Sequence, residues 1–140
     1  MPEINMTRED RRQALTPEGV PEPIKGYYSN CIRVTSGPLL FIAGQIPIDN
    51  DGNHVGGDDV VEQARQVFRN IDAILTGVGG SLADLVKVTV YVTDISAMGK
   101  IAPLREVLFP KDGPVSACVQ VSALASPEIQ IEIEGVAVVD

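Results

Sequence analysis

Apolar residues recur every three or four positions between residues 59 and 76, which is the spacing of one face of a helix. They are Val60, Ala64, Val67, Phe68, Ile71, Ile74 and Leu75. Asp58 or Asp59 is placed to cap the first turn, and Gly77 is a natural stop. The pattern therefore predicts a helix over 59–76.

Alternation of apolar and polar residues predicts the strands. In 86–94, valine occupies positions 86, 88, 90 and 92, and the segments 114–121 and 128–138 also alternate between apolar and polar residues. Two β-rich segments, 31–36 and 38–44, flank a Gly-Pro dipeptide and are predicted as two strands joined by a tight turn.

A second helix is predicted over 97–108, and two helices suffice to cover one face of a sheet. The arrangement is an α+β two-layer sandwich, built on a mixed sheet with two helices on one face. If the apolar side of every strand faces the helices, Ser116, Cys118 and Glu132 share the opposite, polar face. Water or another subunit would cover that face.

The N-terminal residues differ in composition from the rest of the chain. Residues 16–23, TPEGVPEP, are rich in proline and glycine and are predicted to form a linker. We therefore divide the chain into a polar extension over 1–23 and one domain over 24–140. Residues 7–15 are compatible with one or two helical turns capped by Thr7.

The charge balance argues against two classes of partner. The formal net charge is −8, and the arginines Arg8, Arg11 and Arg12 are interleaved with acidic residues. Neither nucleic acid nor an anionic membrane surface is an expected partner, because both require a basic patch. The chain has no apolar run of about 18 residues, and its N-terminus lacks the apolar core of a signal peptide. We expect a cytoplasmic protein.

Cysteine and histidine are few. Cys31, Cys118 and His54 are separated in sequence and give no recognised metal-ligand spacing, so no metal is expected. Both thiols are expected to be reduced and unpaired in a cytoplasmic protein. A nucleophilic Cys118 would need a nearby base, whereas the only histidine lies in a turn-rich loop. The other interpretation is that Cys118 lines a cleft.

Five segments resemble one known family. They are YSN (28–30), AGQIP (43–47), QARQVFRNIDAILTGVGGSLADLVKVTVYVTDISAM (63–98), ACVQV (117–121) and IQIEIEGVAV (129–138). The third segment is the most specific. Together they resemble the reactive intermediate deaminase family, also called the Rid, YjgF or L-PSP endoribonuclease family, over about residues 24–139.

The resemblance implies a chorismate-mutase-like fold and a homotrimer that binds a small-molecule ligand in clefts between subunits. Well-studied members hydrolyse enamines and imines such as 2-aminoacrylate, without a metal or organic cofactor. Carried over residue by residue, the resemblance makes Glu132 and Cys118 the candidate catalytic residues. It makes Tyr28, Gly44 and Ser116 the candidate substrate-binding residues.

Ser116 departs from the pattern that the chain resembles, which has an arginine for the substrate carboxylate at this position. An arginine binds a carboxylate by two charge-assisted hydrogen bonds, whereas a serine offers one neutral hydroxyl. We therefore expect an altered substrate preference, for a larger or less anionic ligand. Arg33 and Arg105 are the cations that would replace the arginine from new positions, although each is expected to be a solvated surface residue.

Three classes of function stay open at this point. The first is a deaminase-like hydrolase of an enamine or imine with altered substrate preference. The second is a non-catalytic trimer that binds or senses a small molecule. The third is a ribonuclease or translation inhibitor, which the acidic charge disfavours. An ammonia-release assay with binding measured in parallel would separate the first two.

Overall fold

The computed structural model describes residues 6–140. The elements are, in chain order, α1 (Arg8–Arg11), β1 (Arg12–Leu15), β2 (Cys31–Val34), β3 (Leu39–Gln45), α2 (Val60–Gly77), a 3-10 turn (Leu82–Asp84), β4 (Leu85–Val92), α3 (Ala97–Leu108), β5 (Val115–Gln120) and β6 (Ile131–Val138). Four strands form the main sheet in the order β3-β6-β4-β5, with β4 parallel to β5 and the other pairs antiparallel. The predicted α+β fold with a mixed sheet is confirmed.

Helix α2 begins and packs as its sequence predicts. The Asp59 carboxylate accepts hydrogen bonds from the backbone N–H groups of Val61 and Glu62, at 2.9 and 3.4 Å. Apart from half-buried Ile74, the apolar stripe of the helix is buried against the sheet. Gln63 is also fully buried, because its amide bonds to the backbone of Gly57, Glu128 and Gln130. The helix is thereby tied to the chain entering β6.

Strands β4 and β6 divide the sheet into two faces. The helix-covered face carries the fully buried side chains Val88, Val90, Val92, Ile131 and Ile133. The opposite face, called the open face below, carries Lys87, Thr89, Tyr91, Glu132 and Glu134. These five polar residues lie where the alternation predicted them.

The prediction for β5 is wrong. Ser116 and Cys118 are the register partners of Val88 and Val90, so both lie on the helix-covered face. Cys118 packs against the hydrophobic core, while Ala117 and Val119 are exposed on the open face. The error has a physical cause. Helix α3 supplies a polar partner, Arg105, for Ser116 on the helix-covered face, and the open side of β5 is apolar.

The residues before position 24 also contribute to the fold. Thr7 caps α1, as predicted, but residues 12–15 form β1 and pair with β2. The predicted pairing of β2 with the strand after it does not occur, because the two lie in separate sheets. Arg12 fixes β1 to the domain by donating from Nε to the Leu85 carbonyl (2.9 Å) and from Nη2 to the Asp112 carbonyl (2.8 Å).

Two further features bear on the sequence expectations. Cys31 and Cys118 are unpaired thiols on separate strands. Within residues 6–140, no helix is both long enough and apolar enough to cross a bilayer.

Candidate functional site

The predicted site residues fall into two groups on opposite faces of the sheet. Ser116 and Cys118 lie on the helix-covered face of β5, whereas Glu132 lies on the open face of β6 beside Gly44. Strand β4 separates β6 from β5. The expectation that Ser116, Cys118 and Glu132 share one face is therefore wrong for a single chain.

Arg105 of α3 is the centre of the first group. Its Nη2 donates a hydrogen bond of 2.7 Å to Ser116 Oγ, and the residue is only 3% exposed. The expectation of a solvated surface residue is wrong for Arg105, whereas Arg33 is exposed on β2 as expected. We call Arg105, Ser116, Cys118 and Tyr27 the helix-side group.

The ring of Tyr27 packs against the guanidinium of Arg105. The guanidinium carbon lies 4.6 Å from the ring centroid of Tyr27, which is a cation–π contact. The loop carrying Tyr27 is docked on the chain entering β5: Gly113 N donates to the Gly26 carbonyl (2.9 Å), and Ser29 Oγ donates to the Gly113 carbonyl (2.6 Å). A Cβ at Gly113 would overlap the carbonyl of Tyr27. The packing of the backbone thus holds Tyr27, and with it Arg105, in place.

Burial sets the electrostatics of the helix-side group. It lowers the pKa of Arg105, against the influence of Tyr27 and Cys118, but an arginine stays charged in a protein. Burial also raises the pKa of the Cys118 thiol, and the nearby Arg105 opposes that shift. Cys118 is therefore a protonated thiol near neutral pH, which favours a lining role over a nucleophilic one.

The cation of Arg105 is not neutralised within the described part of the chain. No carboxylate of residues 6–140 lies within 4.0 Å of its guanidinium. Its Nε is buried and has no hydrogen-bond partner there. A buried charge without a counter-ion is costly, so the arrangement favours binding of an anion.

Tyr28 lies next to this group but makes a different contact. Its phenol oxygen accepts a hydrogen bond of 3.0 Å from the Ile24 backbone N–H, and its ring lies 5.7 Å from that of Tyr27. Among residues 6–140 the phenol proton has no acceptor and is available to donate. Tyr28 also lines a cavity of about 240 Å³ together with Lys25 and Lys111.

The second group lies on the open face, and a β-bulge shapes it. The register of β3 against β6 shifts between Ile42 and Gln45, which brings Gly44 over Glu132. A Cβ at Gly44 would lie 2.8 Å from both Cδ and Oε1 of Glu132. The absence of a side chain at position 44 therefore lets the Glu132 carboxylate lie against the backbone of β3.

Glu132 and Glu134 lie on the same face but differ in their partners. Tyr91 Oη donates to Glu134 Oε1 at 2.8 Å, and this hydrogen bond raises the pKa of Tyr91. The Glu132 carboxylate has no hydrogen-bond or ion-pair partner among the polar contacts of residues 6–140. A groove of about 450 Å³, lined by Glu134, Phe41 and Lys87, lies on the same face. We call Gly44, Tyr91, Glu132 and Glu134 the open-face group. Within this group, Glu132 is the carboxylate that is available to accept a proton.

The burial of Arg105 had a signal in the sequence. The buried residues of α3 are Ala97, Ile101 and Arg105, which recur at intervals of four and mark one helical stripe. An arginine on the core stripe of a helix needs a polar partner on the sheet. Ser116 meets that need, so the serine and the arginine are explained together.

No metal centre accompanies these groups. Among residues 6–140, no cluster of three or more histidine, cysteine, aspartate or glutamate side chains is arranged to hold a metal ion.

Known proteins resemble almost the whole chain. Residues 19–139 match the family model described as endoribonuclease L-PSP. A RutC family protein of Pyrococcus horikoshii is 40% identical over 126 residues, which cover 90% of this chain and 97% of the relative. The 2-iminobutanoate/2-iminopropanoate deaminase of Salmonella typhimurium is 33% identical over 129 residues, again covering 90% of this chain and 97% of the relative.

A solved structure agrees with these sequence matches. The crystal structure of YyfB from Yersinia pestis, of the conserved Rid protein family, matches with a TM-score of 0.85 at 30% identity. The match covers 92% of this chain and 99% of YyfB. The chain therefore belongs to the Rid/YjgF family, whose family model carries the description endoribonuclease L-PSP.

Proposed function

We propose that this chain is a hydrolytic deaminase of a small enamine or imine. The observation that carries the proposal is the match to the Salmonella 2-iminobutanoate/2-iminopropanoate deaminase over 90% of the chain. In the reaction, an enamine first takes a proton on carbon and becomes an imine. Water then adds to the C=N carbon, and the resulting carbinolamine expels ammonia and leaves a carbonyl. Water and proton transfers alone balance this chemistry.

Glu132 is the residue we assign to the proton transfers. Its carboxylate takes a proton from the attacking water, and that proton then passes to the leaving nitrogen. The support is its placement against Gly44 without a hydrogen-bond or ion-pair partner in residues 6–140, whereas Glu134 is engaged by Tyr91. Cys118 lines the site as a neutral thiol.

We further infer that the active site forms between the subunits of a homotrimer. Glu132 and Ser116 lie on opposite faces of one sheet, so one ligand cannot contact both residues of the same chain. The open face also exposes apolar side chains, among them Phe41 (76%) and Leu39 (52%). A neighbouring subunit packed on this face would bury them and place its own helix-side group across from Glu132.

An ammonia-release assay with 2-aminoacrylate generated in situ tests the proposal. The wild-type protein is expected to accelerate ammonia release above the spontaneous rate. Glu132→Gln should lower the enzymatic rate by about 100-fold or more, because general acid–base catalysis contributes at least that much. Glu134→Gln is the matched control and should retain its rate within about twofold, since Glu134 is assigned no proton transfer.

A different outcome would identify the second class of function. If the protein accelerates no enamine or imine hydrolysis but binds a 2-keto acid in the same solution, the deaminase proposal is wrong. The chain would then be a small-molecule binding protein on the same fold.

A further inference from the structure

We propose that Arg105 of α3, together with Ser116, binds the acidic group of the ligand, a step that rests on the proposed function for the nature of that ligand. The substrate would be an imine or enamine that bears a carboxylate. The carboxylate-binding cation is thus supplied by the helix, with the strand position contributing a hydroxyl.

The first observation is a buried cation without an anion. Arg8 and Arg11 pair with the carboxylates of Asp84 and Asp140, and Arg12 donates to two backbone carbonyls. Arg105 is more buried than any of these three, yet within residues 6–140 it has neither kind of partner for its Nε. A ligand carboxylate would supply the missing counter-charge.

The second observation is the direction of the hydrogen bond between Arg105 and Ser116. An arginine side chain can only donate, so Ser116 Oγ is the acceptor at 2.7 Å. The hydroxyl proton of Ser116 is then free to donate to a third group. The guanidinium and the hydroxyl therefore both present N–H or O–H donors, which suits a carboxylate with two oxygens.

The third observation is that the arginine is held before any ligand arrives. Its guanidinium stacks on Tyr27, and the Tyr27 loop is fixed by the backbone of Gly113. A preorganised arginine loses little side-chain freedom on binding, which increases the affinity gained from each hydrogen bond.

The position of Arg105 beside Ser116 changes the charge expected of the ligand. From the sequence, the serine at position 116 predicted a larger or less anionic ligand. Instead, a guanidinium nitrogen lies 2.7 Å from the serine oxygen, and Glu132 lies on the other face of the same sheet. The charge around Ser116 therefore favours an anionic ligand.

Binding of pyruvate and of neutral pyruvamide by the full chain tests the inference without requiring turnover. The wild-type protein is expected to bind pyruvate at least about tenfold more tightly than pyruvamide, as measured by calorimetric titration. Arg105→Met should remove this preference, while Arg33→Met, at an exposed arginine, should leave it unchanged. A folded Arg105→Met variant that keeps the preference would overturn the inference.

Thermal unfolding separates ligand binding from a purely structural role. A ligand-binding arginine is costly to the empty protein, so Arg105→Met should melt at the wild-type temperature or above. A large drop in melting temperature together with an unchanged preference for pyruvate would show that Arg105 only supports the Tyr27 loop.

A second variant covers the possibility that the methionine variant does not fold. Arg105→Lys keeps the charge but loses the planar pair of donors, and we expect its preference for pyruvate to fall at least about threefold. An undiminished preference in Arg105→Lys, with no folded Arg105→Met variant, would also overturn the inference.

The two proposals can fail separately. Arg105-dependent pyruvate binding without any turnover would remove the deaminase proposal and keep this one. If the wild type and Arg105→Met turn over substrates with the same preference for a carboxylate, the deaminase proposal stands and the proposal for Arg105 fails.

Discussion

The helix-covered and open faces of the sheet each carry a charge that has no oppositely charged partner in residues 6–140, and the two charges have opposite signs. The helix-covered face holds the buried cation of Arg105, and the open face holds the carboxylate of Glu132. An imino acid has a carboxylate at one end and a nitrogen that gains a proton at the other. The two faces thus provide complementary halves of such a site, although no single chain brings them together.

The two groups also differ in how they are held. Backbone contacts between the Tyr27 loop and Gly113 position the helix-side group, whereas side-chain atoms make the closest contacts of the open-face group. A substitution that disturbs the backbone contacts between the Tyr27 loop and Gly113 should therefore reduce stability. A substitution in the open-face group should reduce assembly or activity and leave the fold of each subunit intact.

Gly113→Ala is expected to have the largest effect. The added Cβ would overlap the Tyr27 carbonyl and lie 2.8 Å from the Tyr28 nitrogen, and backbone atoms cannot move aside cheaply. We expect a loss of about 3 kcal/mol in the free energy of unfolding, measured by urea denaturation. Gly99→Ala in α3 is the control, because its Cβ would meet nothing within 4 Å and should stabilise the helix by about 0.5–1 kcal/mol. Equal stability of the two variants would contradict the rigid packing of Gly113 against the backbone of Tyr27 and Tyr28.

Phe41→Glu tests the open face as an interface between subunits. The wild-type chain should sediment at three times its mass of 14.9 kDa. A glutamate at this exposed apolar position should break the trimer and abolish turnover, with little change in the fold of the monomer. Val107→Glu is the matched control, because Val107 on α3 is 78% exposed but faces away from the sheet. A wild-type monomer that is active, or a Phe41→Glu trimer, would refute the assignment of this interface.

Gly44→Ala should reduce activity more than stability. The new Cβ would approach the carboxylate of Glu132, which is the end of a flexible side chain and can move at small cost. We expect the rate of ammonia release to fall at least about tenfold if Glu132 is displaced from its working position, with a melting temperature close to that of the wild type. The double variant Gly44→Ala/Glu132→Gln should be no slower than Glu132→Gln alone, because both changes act through one carboxylate. Fully additive losses would show that Gly44 acts independently of Glu132.

The sequence predicted most of the fold because its central elements have one buried side each. The stripe of α2 and the alternation of β4 and β6 place Val, Ile and Leu against one another, and their structure agrees with those patterns. Strand β5 could not be oriented in the same way, because its open side, with Ala117 and Val119, is as apolar as a core-facing side. On its other side, Ser116 accepts a hydrogen bond from Arg105, a partner on another element.

For the candidate site, the sequence predicted which residues belong to it but not the face of the sheet on which all of them lie. Gly44 and Glu132, both assigned to the site by the resemblance, lie together because the bulge in β3 brings the two positions into contact. Ser116 and Cys118 also lie together, but on the face opposite to the predicted one. Tertiary pairing between a helix and an edge strand decides that face, and alternation along one strand carries no information about it.

The smallest expected effect concerns the acidity of Cys118 and measures the charge of Arg105 directly. Burial raises the pKa of the thiol, so the folded protein holds the proton more tightly than the unfolded chain. Any stability gained in this way is fully present below the usual thiol pKa and is lost as the pH rises through the higher pKa of the folded state. Alkylation of Cys118 in the native protein should accordingly begin at a higher pH than in the urea-unfolded chain, with Cys31 resolved separately by peptide mass. Arg105 opposes the effect of burial, so Arg105→Met should move the onset of Cys118 alkylation to a still higher pH. An onset that moves to lower pH in this variant, or does not move, would mean that the guanidinium does not act on the thiol, and the helix-side group would lose its electrostatic basis.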